Sequence, residues 1–246
     1  MPVTPELEAR LYSRWPEIFG GRKLPITQSL MPFGLECGDG WYSLVDALCE
    51  TLTEHSFALE RRPPEAIQAK EKYGTFRFYV RGEDEFDDGA ITMAEMLSGC
   101  ICEVTGSPGL ECHKGGWYAT RSPDIAAREG WRTLPDMLGQ PIRVIAPMAT
   151  SDAAARLKAD WPEVMLCDPD IPPGWIGIAD VLASCLEEEL NRGDATPSRI
   201  LALGQADGEL VVRIDAVRDR DLGAAAMAVA MSRRTDPMTG SSWQMP

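Results

Sequence analysis

Histidine is nearly missing from this 246-residue chain: only His55 and His113 are present, so the commonest general acid and base is absent from most of it. His55 falls on an amphipathic stretch, and nothing around His113 resembles a Ser, His and Asp triad. Aromatic residues make up only 7%. No apolar run reaches membrane-spanning length and no N-terminal signal peptide is evident, so neither an anchor nor export is expected. The glycine-bearing stretches GGWYAT and FGLECGDG match neither the phosphate-cradling Walker pattern nor the dinucleotide fingerprint. No CxxC pair occurs among the seven cysteines. Their odd number, without framework spacing and with Cys49 and Cys185 in apolar helical contexts, points to free thiols in a reducing cytoplasm.

Positive charge is scarce as well. Lysine and arginine total 24 against 38 acidic residues, a formal charge of −14. Residues 1–134 carry 14 basic and 21 acidic groups, and 135–246 carry 10 and 17, so each half is −7. Such a field opposes nucleic-acid phosphates and anionic membranes and favours a basic partner.

What the chain does have is an internal repeat, organised around a hairpin signal at Lys70–Val80 (KEKYGTFRFYV) that returns at Gly204–Ile214 (GQADGELVVRI). Each copy places a Gly, Gly74 or Gly208, at a tight turn before a strand rich in aromatic or β-branched residues. Shifting the chain by 134 positions lays residues 40–107 on 174–241 without a gap, and 17 of the 68 pairs are identical. Unrelated sequences would match at roughly 6% of positions, about four pairs. The identities include Gly40-Trp41 with Gly174-Trp175, Asp46 with Asp180, Glu54 with Glu188, Ser98 with Ser232, and Thr105-Gly106-Ser107 with Thr239-Gly240-Ser241. Upstream, RLYSRWPEIF around Trp15 matches RLKADWPEVM around Trp161 at an offset of 146, so the first copy holds 12 extra residues.

Periodicity and punctuation predict helices over Pro5–Phe19 and Trp41 to about Leu59, a hairpin over Ala66–Val80, an acidic loop GEDEFDDG, and a short helix Ala90–Ser98. GGWYAT reads as a strand and Ile125–Trp131 as a helical turn. A linker is expected at 135–151, with QPIRVIAP as one strand within it. The second copy then repeats the pattern with helices 152–161, 175–191 and 222–232 and a hairpin at 199–216. The fold class expected is α+β: two tandem ααββα modules, 1–134 and 152–246, each with a hairpin packed on helices and a core of its own.

Over residues 8–131, the ordered motifs WPEIF, LECGDGWYSLVDALC, KEKYGTFRFYV, ICEVTGSPG and GGWYATRS resemble a family of uncharacterised proteins of bacteriophage and prophage genomes. The resemblance implies a small zinc motif, CExCGxPG followed by GGWxxTLCxxH. Cys102 keeps its first ligand position, but Thr105, Ser122 and Ile125 occupy the other three, and TDPMTGSSW in the second copy has no cysteine. No zinc and no cofactor are therefore expected. Cys100, Cys102, Cys112 and His113 remain as a rearranged ligand set, awkward because Cys112 and His113 are adjacent.

Asp46 and Glu54 are eight residues apart on one helix, about 12 Å by helix rise, too far for two carboxylates to act on one bond. Asp168 and Asp170 of CDPD lack a second acidic cluster to make a cation site with. A non-enzymatic cytoplasmic protein-binding protein is the function expected: an inhibitor, immunity or anti-defence protein that neutralises a basic toxin or nucleic-acid-handling enzyme. Its expected contact residues are Glu83, Asp84, Glu85, Asp87 and Asp88 in one stretch and Glu187, Glu188 and Glu189 in another. Two alternatives stand beside it: an accessory prophage protein binding nucleic acid or a replication partner through KEKYGTFRFYV, and a hydrolase with a site between the modules.

Overall fold

The computed structural model describes residues 3–133, 150–188 and 197–242. Helix α1 (Pro5–Arg14) starts on a proline and carries Glu6 and Glu8 in its first turn and Arg14 in its last, charges that suit the helix dipole. It stops at Trp15, short of the expected Phe19. Pro16 drives Trp15 out of helical geometry, and a 3-10 segment, Ile18–Lys23, takes over. Helix α2 (Tyr42–Ala58) buries Leu44, Val45, Leu48 and Leu52.

Strands β2 (Glu65–Lys72) and β3 (Thr75–Arg81) form the expected hairpin, with the short β1 (Leu35–Glu36) running parallel to β2. Tyr73 and Gly74 both adopt positive φ, 54° and 83°, the geometry of a turn whose twist matches its strands. Phe76 and Phe78 enter the core while Tyr79 stays outside. Helix α3 runs Glu85–Ser98 and so begins five residues before the expected start. Most of GEDEFDDG is its first turn rather than a loop, because Asp84 and Asp87 cap it reciprocally.

Beyond α3, β4 (Leu110–Lys114), β5 (Trp117–Arg121) and β6 (Arg132–Thr133) form a small antiparallel sheet in the order β5-β4-β6, with α4 (Pro123–Glu129) between β5 and β6. Sequence reading found β5 and the α4 region but missed β4. The expected linker falls outside the described residues except at its end, and so does the strand QPIRVIAP.

The chain continues with α5 (Thr150–Asp160), α6 (Ile176–Glu188), the hairpin β7 (Arg199–Ala206) and β8 (Glu209–Asp215), and α7 (Asp219–Ser232). Helix α7, like α3, starts earlier than periodicity suggested. Strands β7 and β8 are as long as β2 and β3, and a register shift falls at Ala66/Gln68 in one hairpin and Ile200/Ala202 in the other. Paired residues also make like bonds. The indole of Trp41 donates to Ile101 O at 2.8 Å and that of Trp175 to Thr235 O at 3.0 Å. Ser98 Oγ accepts from Phe76 N at 2.8 Å, and Ser232 Oγ accepts from Leu210 N at 2.9 Å.

One point of the sequence reading needs correction: the buried apolar residues of both halves form one continuous cluster, not two cores. The reason is the crossing of α3 and α7, whose facing surfaces are small residues including Ala90, Ala94, Ala224 and Ala228. Gly89 lies against the backbone of Arg220 and Gly223 against that of Phe86. Thr51 of α2 also meets Met227 of α7, and Cys185 of α6 meets Met93 and Met96 of α3. No described helix is long and apolar enough to cross a membrane.

Candidate functional site

The acidic stretch is largely occupied with its own structure. Asp84 Oδ1 accepts from Asp87 N at 3.0 Å and Asp87 Oδ2 accepts from Asp84 N at 3.2 Å. Arg61 Nη2 donates to Asp84 Oδ2 at 2.8 Å and to Asp87 Oδ2 at 2.5 Å, and His55 Nε2 lies 3.0 Å from Asp84 Oδ2. Phe86 stacks on the His55 ring at 3.8 Å. Burial pushes the fully enclosed Asp87 carboxyl up. At Asp84 burial acts the same way but is outweighed by the Asp87 N–H, His55 and Arg61, which hold its carboxyl below the usual range. His55, Asp84 and Asp87 offer ligand atoms within 4.8 Å of one another, the only such trio of His, Cys, Asp or Glu among the described residues. A guanidinium already supplies the positive charge between the two aspartates.

Asp88 pairs with Arg220 at 3.2 Å, which leaves Glu83 and Glu85 as the exposed acids of this stretch with no ion pair among the described residues. Of the second expected surface, Glu187 is half-buried on α6, while the Glu188 side chain and Glu189 lie outside the described residues.

The four residues left as a rearranged ligand set, Cys100, Cys102, Cys112 and His113, form no convergent group among the described residues. Strand alternation sends Cys112 and His113 to opposite faces of β4, with Cys112 buried and His113 edge-on to Tyr118. Burial raises the Cys100 thiol to about 12 and also raises Cys112. Cys102 differs. Burial there is outweighed by hydrogen bonds from the Thr105 hydroxyl and from the backbone of Ser122, Val104 and Thr105, and its thiol is lowered. Three of the four positions that the resemblance assigns to zinc ligands thus meet at Cys102, and Ile125 is buried in the first turn of α4.

Asp46 sits in a buried salt bridge. It accepts from the Trp15 indole at 2.8 Å and from Arg14 at 2.9 Å, and it pairs with Arg234 at 2.7 Å. Glu50 holds the other side of Arg234. Glu54 is exposed. Asp180 receives the Trp161 indole at 2.8 Å, and the residue that aligns with Arg234 at an offset of 134 is Cys100 rather than an arginine. Asp168 pairs with Lys158 at 2.7 Å.

The concavity with the richest chemistry lies elsewhere, over β4 and β5. Gly115 and Gly116, both at positive φ, turn the chain so that Trp117 opens β5 at the surface. The Thr120 hydroxyl donates to Gly74 O at 2.7 Å, and a Cβ on Gly74 would lie 3.0 Å from Ala119 N. This close approach docks the β2–β3 turn on β5 and leaves a pocket of about 510 Å³ beside it. Its floor is a buried ion pair, Arg121 Nη1 to Glu103 Oε1 at 2.9 Å. Arg121 stacks over Trp131 at 5.1 Å, and Lys114 donates to Glu129 O. Glu71 stands at the edge and accepts from Gly74 N at 2.6 Å. Glu103 Oε2 is buried and has no hydrogen-bond partner, and burial raises this carboxyl even though Arg121 opposes the shift.

Above the floor, Trp117 is 76% exposed, Tyr73 70% and Tyr118 40%, with Tyr73 and Tyr118 packed edge to face at 6.4 Å. Sequence reading missed this site because its residues come from four separate stretches. One signal was available: three of the chain's few aromatics, Trp117, Tyr118 and Trp131, fall in the segment after residue 107, beyond the part that repeats. Comparison of the chain with family models, with curated proteins and with solved structures finds no match.

Proposed function

We propose that this chain is a non-enzymatic protein-binding protein that neutralises a basic partner, a bacterial toxin or a nucleic-acid-handling enzyme, in the cytoplasm. The observation that carries the reading is the exposed Trp117, with the Tyr73–Tyr118 pair nearby, at a pocket floored by the Arg121–Glu103 ion pair. Amphipathic rings of this kind supply contact area at low entropic cost. The field of −14 steers a basic partner toward it. Asp46, Asp84 and Asp87 are engaged in buried or capping contacts. We read the chain as two tandem ααββα modules, 1–134 and 152–246, of the phage and prophage type, in which segment 108–133 of the first carries the binding surface.

The test compares the wild-type chain with Trp117→Ala/Tyr73→Ala as bait in the native lysate, then adds each protein to the captured partner's own activity assay. The reading expects a stoichiometric partner that the wild type inhibits and the variant neither retains nor inhibits. Equal retention by both, or a partner whose activity does not change, would sink it.

A second reading, nucleic-acid binding through the first hairpin, is favoured by Lys70 over Tyr79 and Lys72 over Tyr73, each at 5.6 Å. Retention on single-stranded DNA at low salt, falling steeply as salt rises, would select it instead.

A further inference from the structure

We infer that the pocket over β4 and β5 anchors an arginine side chain of the partner protein, its guanidinium lying on Trp117 with its donors on Glu103 and Glu71. The inference takes its occupant from the protein-binding reading above, but its chemistry comes from the pocket. Two carboxylates, of Glu71 and Glu103, line it with two cations, Lys114 and Arg121, and Glu129 lies behind Arg121, 3.6 Å from its Nε and 3.5 Å from Arg128. Both cations already direct donors inward, Lys114 to the Glu129 carbonyl and Arg121 to Glu103, and both lie over Trp131. Apart from Arg121 Nε, which faces Glu129 Oε2 at 3.6 Å, the unspent capacity of the pocket is for accepting hydrogen bonds. Glu103, 6% exposed, has one oxygen on Arg121 and a second with no partner. A buried carboxylate oxygen left unpaired is costly, and a donor that reaches it recovers that cost. The last torsion of a glutamate is soft, so the carboxylate can turn toward a donor offered from the pocket.

Aromatic walls select among donors. A guanidinium is flat, weakly hydrated and always charged; it stacks on indole and phenol faces and forks onto carboxylates, whereas an ammonium is a hydrated point charge. A phosphate or carboxylate would meet Glu71 and Glu103 at close quarters inside a field of −14. The roughly 510 Å³ volume exceeds a guanidinium and leaves room for the methylenes and backbone that carry it.

The probe is a blocked Gly-Gly-Arg-Gly peptide, titrated into the full chain while the indole N–H resonances are followed by NMR. Parallel titrations use the same peptide with citrulline, the uncharged isostere, and guanosine monophosphate. The arginine peptide should shift the Trp117 and Trp131 resonances, the citrulline peptide should bind at least about tenfold more weakly, and the nucleotide should leave both in place. Glu103→Gln should abolish the preference for arginine over citrulline. The remaining indoles report whether that variant is folded, and Trp117→Ala, at an exposed position, supplies a second variant if it is not. Equal binding of both peptides, a shift produced by the nucleotide alone, or no shift at either indole overturns the assignment. Arginine binding here together with partner capture that ignores Trp117 would leave the pocket chemistry standing and reject the protein-binding reading at this site.

Discussion

Replacing Gly89 by alanine puts the crossing of α3 and α7 to the test. A Cβ built on Gly89 falls 1.8 Å from the carbonyl oxygen of Arg220, and one on Gly223 falls 1.9 Å from that of Phe86. Both obstacles are backbone, so no change of rotamer relieves them. Reaching the 3.0 Å that real Cβ atoms keep requires a displacement of about 1.2 Å between helices whose contact surfaces are buried. Overpacking of a core costs about 1–3 kcal/mol, and alanine returns about 0.5–1 kcal/mol of helix propensity. With backbone on both sides the overpacking term lies at its upper end, so the expected net loss is about 2 kcal/mol. Urea denaturation should show a lower midpoint at unchanged slope, and the thermal midpoint should fall by about 4–8 °C.

Gly99→Ala is the matched control. It sits at the end of α3 with φ of −67° and its Cβ would approach nothing closer than 3.4 Å, so its stability should equal or slightly exceed the wild type's. Gly89→Ala combined with Gly223→Ala should lose less than the two single losses added together, because parting the helices once makes room at both places. A Gly89→Ala protein as stable as the Gly99→Ala control would refute the reasoning, since no backbone contact of that closeness could then exist.

The Asp46 network gives a contrast between halves. Asp46→Ala leaves Arg234, which is 11% exposed, with Glu50 as its remaining carboxylate and removes the acceptor of Arg14 and the Trp15 indole, and should cost about 2–3 kcal/mol in chemical denaturation. Asp180→Ala removes the acceptor of the Trp161 indole with no arginine behind it and should cost only about 1–2 kcal/mol; equal losses would mean that the Arg234 contact contributes little. The resemblance to zinc-bearing phage proteins can be tested by restoring the ligands. Thr105→Cys/Ser122→Cys/Ile125→His, with Cys102 in place, should retain one zinc per chain after gel filtration where the wild type retains none. Failure of a folded triple variant to hold zinc would count against the resemblance.

The hairpins were legible because their signal is local. Tyr73-Gly74 and Asp207-Gly208 need positive φ, and alternation then fixes which of Phe76, Phe78 and Tyr79 turn inward. The Trp-Asp pairs were visible as repeated residues, although only coordinates show that Trp15 and Trp161 reach Asp46 and Asp180. The start of α3 was hidden because a run of acids resembles a solvated loop. The spacing of Asp84 and Asp87, three apart before an apolar helix, was the cue that such acids cap it. Strand β4 was hidden because LECHK shows little alternation, and its place is fixed by pairing with β5 and β6. The aromatic pocket was legible only as a concentration of Trp117, Tyr118 and Trp131 after residue 107. Glu71, Glu103, Trp117 and Trp131 share no sequence pattern and meet only because Gly74 lets two hairpins touch.

The reach of Arg234 back to Asp46, across 188 positions, also bears on the order in which the molecule is made. Until the segment holding α7 and Arg234 has left the ribosome, α3 has no surface to cross, Asp46 lacks its principal cation, and the small apolar face around Ala90 and Ala94 stays wet. Contacts so distant along the chain close slowly, because a large loop must be ordered before they form. A nascent chain of this design exposes a sticky seam for most of its synthesis, which makes the time between the emergence of α3 and that of α7 the interval in which misassembly or chaperone capture is decided.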